Sequence, residues 1–308
     1  IPLGRSGSRL KVTVRAGPGQ LQIERALLAR VGADGQSVAS SARLSFGGQP
    51  TAILPPRASV TSDPISFPVS FRETIAVTLV VRGSAAASAI DLFPEHQQAW
   101  GDRADDANLV GAISLERAVA VSEVSVEGSA SRAFIALGDS ITEGYVEGSD
   151  RYVESWPAVA ERLLGLPIVN AGVSGQGLDG ALAYLDTEVL SAEGITDCLV
   201  LLGTNDLGGT PVDRIEANYD QLIDRLLPFC RVHLGVLPPK ERPELQADRV
   251  TLNAWIRGHP KASGVLDFES VLASPGDTTR FAPGLGMDGI HPTVEGQARM
   301  GRKAAESL

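Results

Sequence analysis

Ala133–Tyr145 reads AFIALGDSITEGY. The run Ala133–Leu137 is apolar without alternation, as expected of a short strand buried on both faces. It stops at Gly138-Asp139-Ser140, and Ile141-Thr142-Glu143-Gly144 follows. A serine just past the end of a buried strand has two readings. It caps the next helix, as serine often does, or it presents a nucleophilic hydroxyl at the open rim of a sheet.

The same rhythm continues on the C-terminal side. Further apolar runs are PIVNAG (167–172), DCLVLLG (197–203), VHLGVLP (232–238) and GVLDFE (264–269). Amphipathic segments separate them: SWPAVAERLLG (155–165), GALAYLDTEVLSA (180–192), VDRIEANYDQLIDRLLPF (212–229) and ELQADRVTLNAWIRG (244–258). A last helix is expected at TVEGQARMGRKAAESL (293–308). Strands and helices in strict alternation predict an α/β fold, a five-stranded parallel sheet covered on both faces. Ligands of such sheets bind beyond the carboxyl ends of the strands.

Residues 1–128 read differently. LKVTVRA (10–16), TAILPP (51–56), ISFPVSF (65–71), TIAVTLVVRG (74–83) and AVAVSEVSVEG (118–128) are short, β-branched and alternating, with Gly, Pro, Ser and Asp between them. This predicts an antiparallel β-sandwich. SAAASA (84–89) and GDRADDAN (101–108) read as loops. The expected organisation is a β-sandwich domain over 1–128, with a binding or substrate-shaping role, then a catalytic domain over 129–308.

A net charge of −10 disfavours nucleic acid as a partner. No apolar run approaches the roughly 20 residues of a membrane span. The chain begins at Ile1, so an N-terminal segment is expected to have been removed or omitted. The expectation is a soluble protein, with cytoplasmic and secreted locations both open. The two cysteines, Cys198 and Cys230, read as thiols buried in or beside strands.

Four strand ends bring chemistry to one rim. They are Gly138-Asp139-Ser140, Asn170-Ala171-Gly172, Gly203-Thr204-Asn205-Asp206 and the later loop Asp288-Gly289-Ile290-His291-Pro292. Ser140 is the candidate nucleophile, His291 its general base, and Asp288 the group that holds the imidazole. The N–H groups of Ser140 and Gly172 and the side-chain amide of Asn205 are the candidate oxyanion donors. A side chain at Gly172 is expected to crowd the acyl carbon. Asp139 is expected to tie down its turn. Asp206 reads as support or substrate contact, and Tyr145 as a wall of the acyl pocket. No cofactor and no metal are expected, because a two-metal site needs several His and Asp ligands and only His291 lies at the rim.

GDSITEG, NAGVSG, GTND and DGIHP, in this order, resemble the blocks of the SGNH, or GDSL, hydrolases. The resemblance covers about residues 131–308. It implies a flavodoxin-like three-layer α/β/α fold and a role for Ser140, Gly172, Asn205, Asp288 and His291 in acyl transfer. The expected function is a serine ester hydrolase acting on a small-molecule ester or acyl donor. The alternatives are an acyltransferase with an alcohol or sugar acceptor and, more remotely, a binding protein without catalysis. A metallophosphoesterase fits poorly.

Other residues have plainer readings. His96 reads as exposed, His233 as a satisfied strand residue and His259 as surface. Trp156 and Trp255 read as packing residues of helices, and Trp100 as a loop aromatic able to stack on a ligand.

Overall fold

The computed structural model describes residues 1–308 except 33–37, 91–95, 129, 147–148 and 151. Its contacts divide it into Ile1–Ser129 and Ala130–Leu308. No helix among the described residues is long and apolar enough to cross a membrane.

The first unit is built on one strand. β1 runs over Gly7–Val31, far beyond the expected 10–16. With β2 (Val38–Arg43), β3 (Ala52–Leu54), β4 (Ser59–Thr61), β5 (Ile65–Val69), β6 (Ile75–Ala85) and β9 (Val121–Glu127) it forms a seven-stranded antiparallel sheet, and β7 (His96–Gln98) pairs separately with β8 (Ile113–Leu115). The first half of β1 pairs with β4, β5 and β9, and the second half with β2, β3 and β6. Gly17-Pro18-Gly19 lies in the gap between Ala16↔Ala85 and Leu21↔Gly83, where no ladder bond is asked of the proline. The turn signal therefore marks a transfer between sheet halves and not the end of the strand. A second irregularity at Glu24 leaves one extra residue between Ile23↔Val81 and Arg25↔Val80. Such a bulge reverses the alternation, and the buried positions move from Leu21 and Ile23 to Ala26 and Leu28. Side chains from both halves enter one core with Leu44, Leu54, Phe67 and Ile75. Ser84 and Ala85, read as loop, continue β6. His96 is half-buried in β7, and Trp100 is 92% exposed.

The second unit holds β10 (Phe134–Gly138), α1 (Ser140–Glu143), the short hairpin β11 (Tyr145–Val146) and β12 (Ser149–Asp150), α2 (Trp156–Leu164), β13 (Ile168–Gly172), α3 (Leu178–Tyr184), β14 (Asp197–Leu201), α4 (Val212–Leu226), β15 (Arg231–Val236), α5 (Gln246–Arg257), β16 (Gly264–Asp267), α6 (Glu269–Leu272), the hairpin β17 (Ala273–Ser274) and β18 (Asp277–Phe281), and α7 (Val294–Ser307). The strands form one parallel sheet in the order β13-β10-β14-β15-β16. This is the flavodoxin-like order 2-1-3-4-5, whose switch point lies between the first and third strands. The central strands β10 and β14 are buried at every position, whereas edge strand β13 exposes Val169.

Helix α2 packs on α7, and α4 packs on both α3 and α5. On α4, Ile215, Tyr219, Leu222, Ile223 and Leu226 form the buried stripe expected of a 3.6-residue period. Helices α2 and α7 approach closely because residue 301 is glycine. A Cβ there would lie 2.5 Å from Val159 and 2.9 Å from the Trp156 carbonyl.

At the opposite end of β14, Asp197 is fully buried. It accepts hydrogen bonds from Arg132, Arg231, Thr196 and His233. Burial alone would raise its pKa, yet those four donors hold it well below the usual carboxylate range. His233 is thus only half satisfied, its Nε2 bonded to Asp197 and its buried Nδ1 without a hydrogen-bond partner, and burial pushes its pKa down. His259 differs from the sequence reading. It is buried, bonds Asp220 at 3.1 Å and lies 4.5 Å from the Trp255 ring. The cysteines also differ, since Cys198 and Cys230 form a disulfide with Cα atoms 5.8 Å apart. Their separation of 32 positions hides this pairing in the sequence. It follows from the register Asp197↔Arg231, which sets the two strand starts side by side.

Candidate active site

Strand β10 ends at Gly138, and Asp139 is the N-cap of α1, its Oδ1 accepting the Ile141 N–H at 2.9 Å. Ser140 is therefore not the cap. It is the first helical residue, which leaves its hydroxyl to other partners. The single turn of α1 has few hydrogen bonds of its own, and its carbonyls are satisfied from outside. Gln297 of α7 donates to Ile141 O at 2.9 Å, Asn170 of β13 to Thr142 O at 2.8 Å, and the Gly144 N–H to Ser140 O at 3.0 Å. The last of these is the helix's own C-cap bond, and the serine stands on a brace contributed by two other elements, α7 and β13.

Ser140 Oγ lies 2.8 Å from His291 Nε2, and His291 Nδ1 lies 2.7 Å from Asp288 Oδ2. Asp288 Oδ1 accepts the N–H groups of Ile290 and His291 at 2.9 and 2.8 Å. Burial tends to raise the Asp288 pKa, but these N–H groups and the imidazole outweigh it and hold the carboxyl below its ordinary value. An ionised carboxylate only accepts, so Nδ1 carries the proton and Nε2 is the acceptor facing Ser140. The loop is pinned at its base, with Met287 N–H donating to His291 O at 3.0 Å and Thr293 N–H to Leu285 O at 2.9 Å.

The register Gly138↔Gly172 puts the end of β13 beside the Ser140 turn. Gly172 is needed there for a reason other than the one expected. A Cβ at this position would lie 2.2 Å from the Glu143 nitrogen, so the conflict is with the backbone of α1. The Gly172 N–H donates to Asn170 Oδ1 at 2.9 Å. Asn205 follows β14, and its Nδ2 donates to Gln176 O at 3.0 Å, which fixes the plane of the amide. Ser140 and Asn205 flank the switch point of the sheet.

Asp206 supports a neighbouring loop. Both its oxygens accept the Leu178 N–H, at 3.1 and 3.2 Å, which caps α3 where N-cap Gly177 has no side chain to do so. Tyr145 lies against His291, their ring centroids 4.7 Å apart.

Two residues of the site escaped the sequence reading. Lys240, beyond β15, is buried and donates to Thr204 O at 2.7 Å. The Glu241 N–H donates to Gly289 O at 2.6 Å, and its Oε1 accepts the Phe281 N–H at 3.1 Å. The available signal was position alone, since VLPPK ends at the same rim as the other strand ends.

Asp139 is fully buried, and its Oδ2 has no hydrogen-bond partner. Burial pushes its pKa up to about 7, the Ile141 N–H and Lys240 oppose this, and the charge of Asp206 adds to it. A carboxyl raised in the folded state stays protonated while the unfolded chain ionises. Stability is therefore lost as pH rises from the ordinary value of 3.8 through about 7. Asp139→Asn keeps the capping oxygen and removes the ionisation. Its Tm advantage over wild type is expected to grow from pH 4 to about 7 and then level off. A Tm difference independent of pH would show that Asp139 is not held neutral.

A family profile described as GDSL-like lipase/acylhydrolase matches residues 136–299, more than half of the chain. The chain belongs to the GDSL-like lipase/acylhydrolase family. The match spans Ser140, Gly172, Asn205, Asp288 and His291. Among solved structures, a G-D-S-L-family protein from Desulfitobacterium hafniense is 23% identical with a TM-score of 0.51, covering 57% of this chain and 99% of that one. A member of the lipolytic protein G-D-S-L family from Veillonella parvula is 20% identical with a TM-score of 0.50, covering 57% and 97%. These likenesses show the family fold. No curated protein matches the chain significantly. Among the described residues no three His, Cys, Asp or Glu side chains converge so as to hold a metal ion.

Proposed function

We propose that this GDSL-family protein is a serine-dependent hydrolase of carboxylic esters that works through an acyl-enzyme on Ser140. The observation that carries the reading is the continuous hydrogen-bond chain from Ser140 Oγ through His291 to Asp288. As Oγ attacks the ester carbonyl, its proton passes to His291 Nε2. The imidazolium so formed is stabilised by Asp288 and by the adjacent Tyr145 ring. The oxyanion takes hydrogen bonds from the Ser140 N–H and the second N–H of the Asn205 amide, with the Gly172 N–H shared between it and Asn170. Nε2–H then protonates the leaving alkoxide. Water repeats the sequence in reverse and frees the acid.

The same groups activate an alcohol as readily as water, so an acyltransferase differs only in holding an acceptor and excluding water at ~55 M. Partition of one acyl-enzyme separates the two. Ser140 is loaded from an activated aryl ester, and simple alcohols and sugars are added at millimolar concentration. Hydrolysis predicts that free acid remains the main product. Saturable diversion of most of the acyl group to one alcohol makes the protein a transferase.

A further inference from the structure

Lys240 has no place in the acyl-transfer scheme, yet its segment touches two of the loops that build the site. Its ammonium donates to the Thr204 carbonyl at 2.7 Å. That carbonyl belongs to the peptide unit whose nitrogen is Asn205, so the contact fixes the plane from which the Asn205 side chain departs. The Lys240 carbonyl accepts from Gln246 Nε2, and the next residue grips the triad loop through the bond from the Glu241 N–H to Gly289 O. Its charge also reaches the nucleophile turn, where it opposes the burial of Asp139.

Burial of a lysine is costly. Only 9% of Lys240 is exposed, and taking an ammonium out of water is strongly unfavourable unless the charge is offset. Burial, with Arg242 nearby, lowers its pKa, while Asp139 and Glu244 raise it. An apolar side chain of similar length would fill the space without that cost. A neutral donor would satisfy one carbonyl. What an ammonium adds is positive charge behind the peptide that carries Asn205. An oxyanion donor misplaced by about 1 Å loses much of its effect, on the order of 10²-fold.

We propose that Lys240 is a positioning residue, whose ammonium holds the Asn205 amide toward the oxyanion through the Thr204 carbonyl. This rests on the acyl-enzyme reading above. The test is a double-mutant cycle of Lys240→Met with Asn205→Ala, run in the full chain on an aryl ester. Lys240→Met is expected to lower kcat roughly 10–100-fold with KM within about 3-fold. In the Asn205→Ala background, itself lowered roughly 10²–10³-fold, it should cost less than about 3-fold more. Lys240→Gln, which keeps a neutral donor, is expected to follow Met, and it carries the cycle if the Met variant does not fold. Equal losses in both backgrounds, or a loss in KM alone, overturn the proposal.

A second readout needs no turnover. The Asn205 side-chain amide resonances, assigned by their disappearance in Asn205→Ala, should shift or broaden when Lys240 is replaced. Unchanged resonances overturn the positioning role. Shifted resonances in a protein without Ser140-dependent turnover instead remove the acyl-enzyme reading and leave the positioning role standing.

Discussion

Replacing Ser140 by alanine is expected to abolish ester hydrolysis and covalent labelling by an active-site phosphonate, with kcat lowered by about 10⁴–10⁶-fold. Ser140 is the hydroxyl hydrogen-bonded to the Nε2 of a histidine whose other nitrogen is held by a carboxylate. The substitution removes one oxygen from a residue that is not the helix cap, so the fold should survive. Asp139 still caps α1, and Gln297 and Asn170 still hold its carbonyls. Labelling is read by mass spectrometry and folding by the Tm. Stoichiometric labelling of the alanine variant, at unchanged Tm, would place the nucleophile elsewhere.

Asp288→Asn is expected to lower kcat by about 10³–10⁴-fold while leaving Ser140 slowly reactive toward the phosphonate. Asparagine matches the shape of aspartate and still offers Oδ1 to the Ile290 and His291 N–H groups, so the turn is kept. The change falls on the other atom. Where Oδ2 accepts from His291 Nδ1 at 2.7 Å, an amide NH₂ donates. The imidazole then keeps its lone pair on Nδ1 and its proton on Nε2. In that tautomer Nε2 cannot accept the Ser140 proton. Imidazole ¹⁵N shifts report the exchange of tautomers directly. A variant retaining more than about a tenth of wild-type kcat would assign the orientation of His291 to something other than Asp288.

The parallel sheet was legible because each of its strands is a short apolar run and each helix carries its own period. The rim residues were legible because strand ends in this fold are where polar residues gather; Ser140 and Asn205 stand there, and Asp288 and His291 lie in the loop before α7. Features created by tertiary register were not. β1 reads as ending at Gly17-Pro18-Gly19, although the chain only changes partners there. Cys198 and Cys230 are 32 residues apart in the chain and become neighbours once α4 has brought β15 beside β14. The reason for Gly172 lies in the backbone of α1, an approach that the spacing of NAGVSG does not reveal. Lys240 resembles any lysine after a strand until its contact with Thr204 is seen.

His291 and Asp288 share one turn, three residues apart, with every bond between them local to that turn. The Asp288–His291 pair is thus a prefabricated part. Its internal geometry does not depend on the sheet, and neither does the tautomer it selects. Joining this pair to the serine takes a single long-range separation, that between Ser140 Oγ and His291 Nε2, 151 positions apart in the chain. A disturbance that slides the turn as a body uncouples the serine without disarming the histidine, and reseating the turn restores the whole centre in one step.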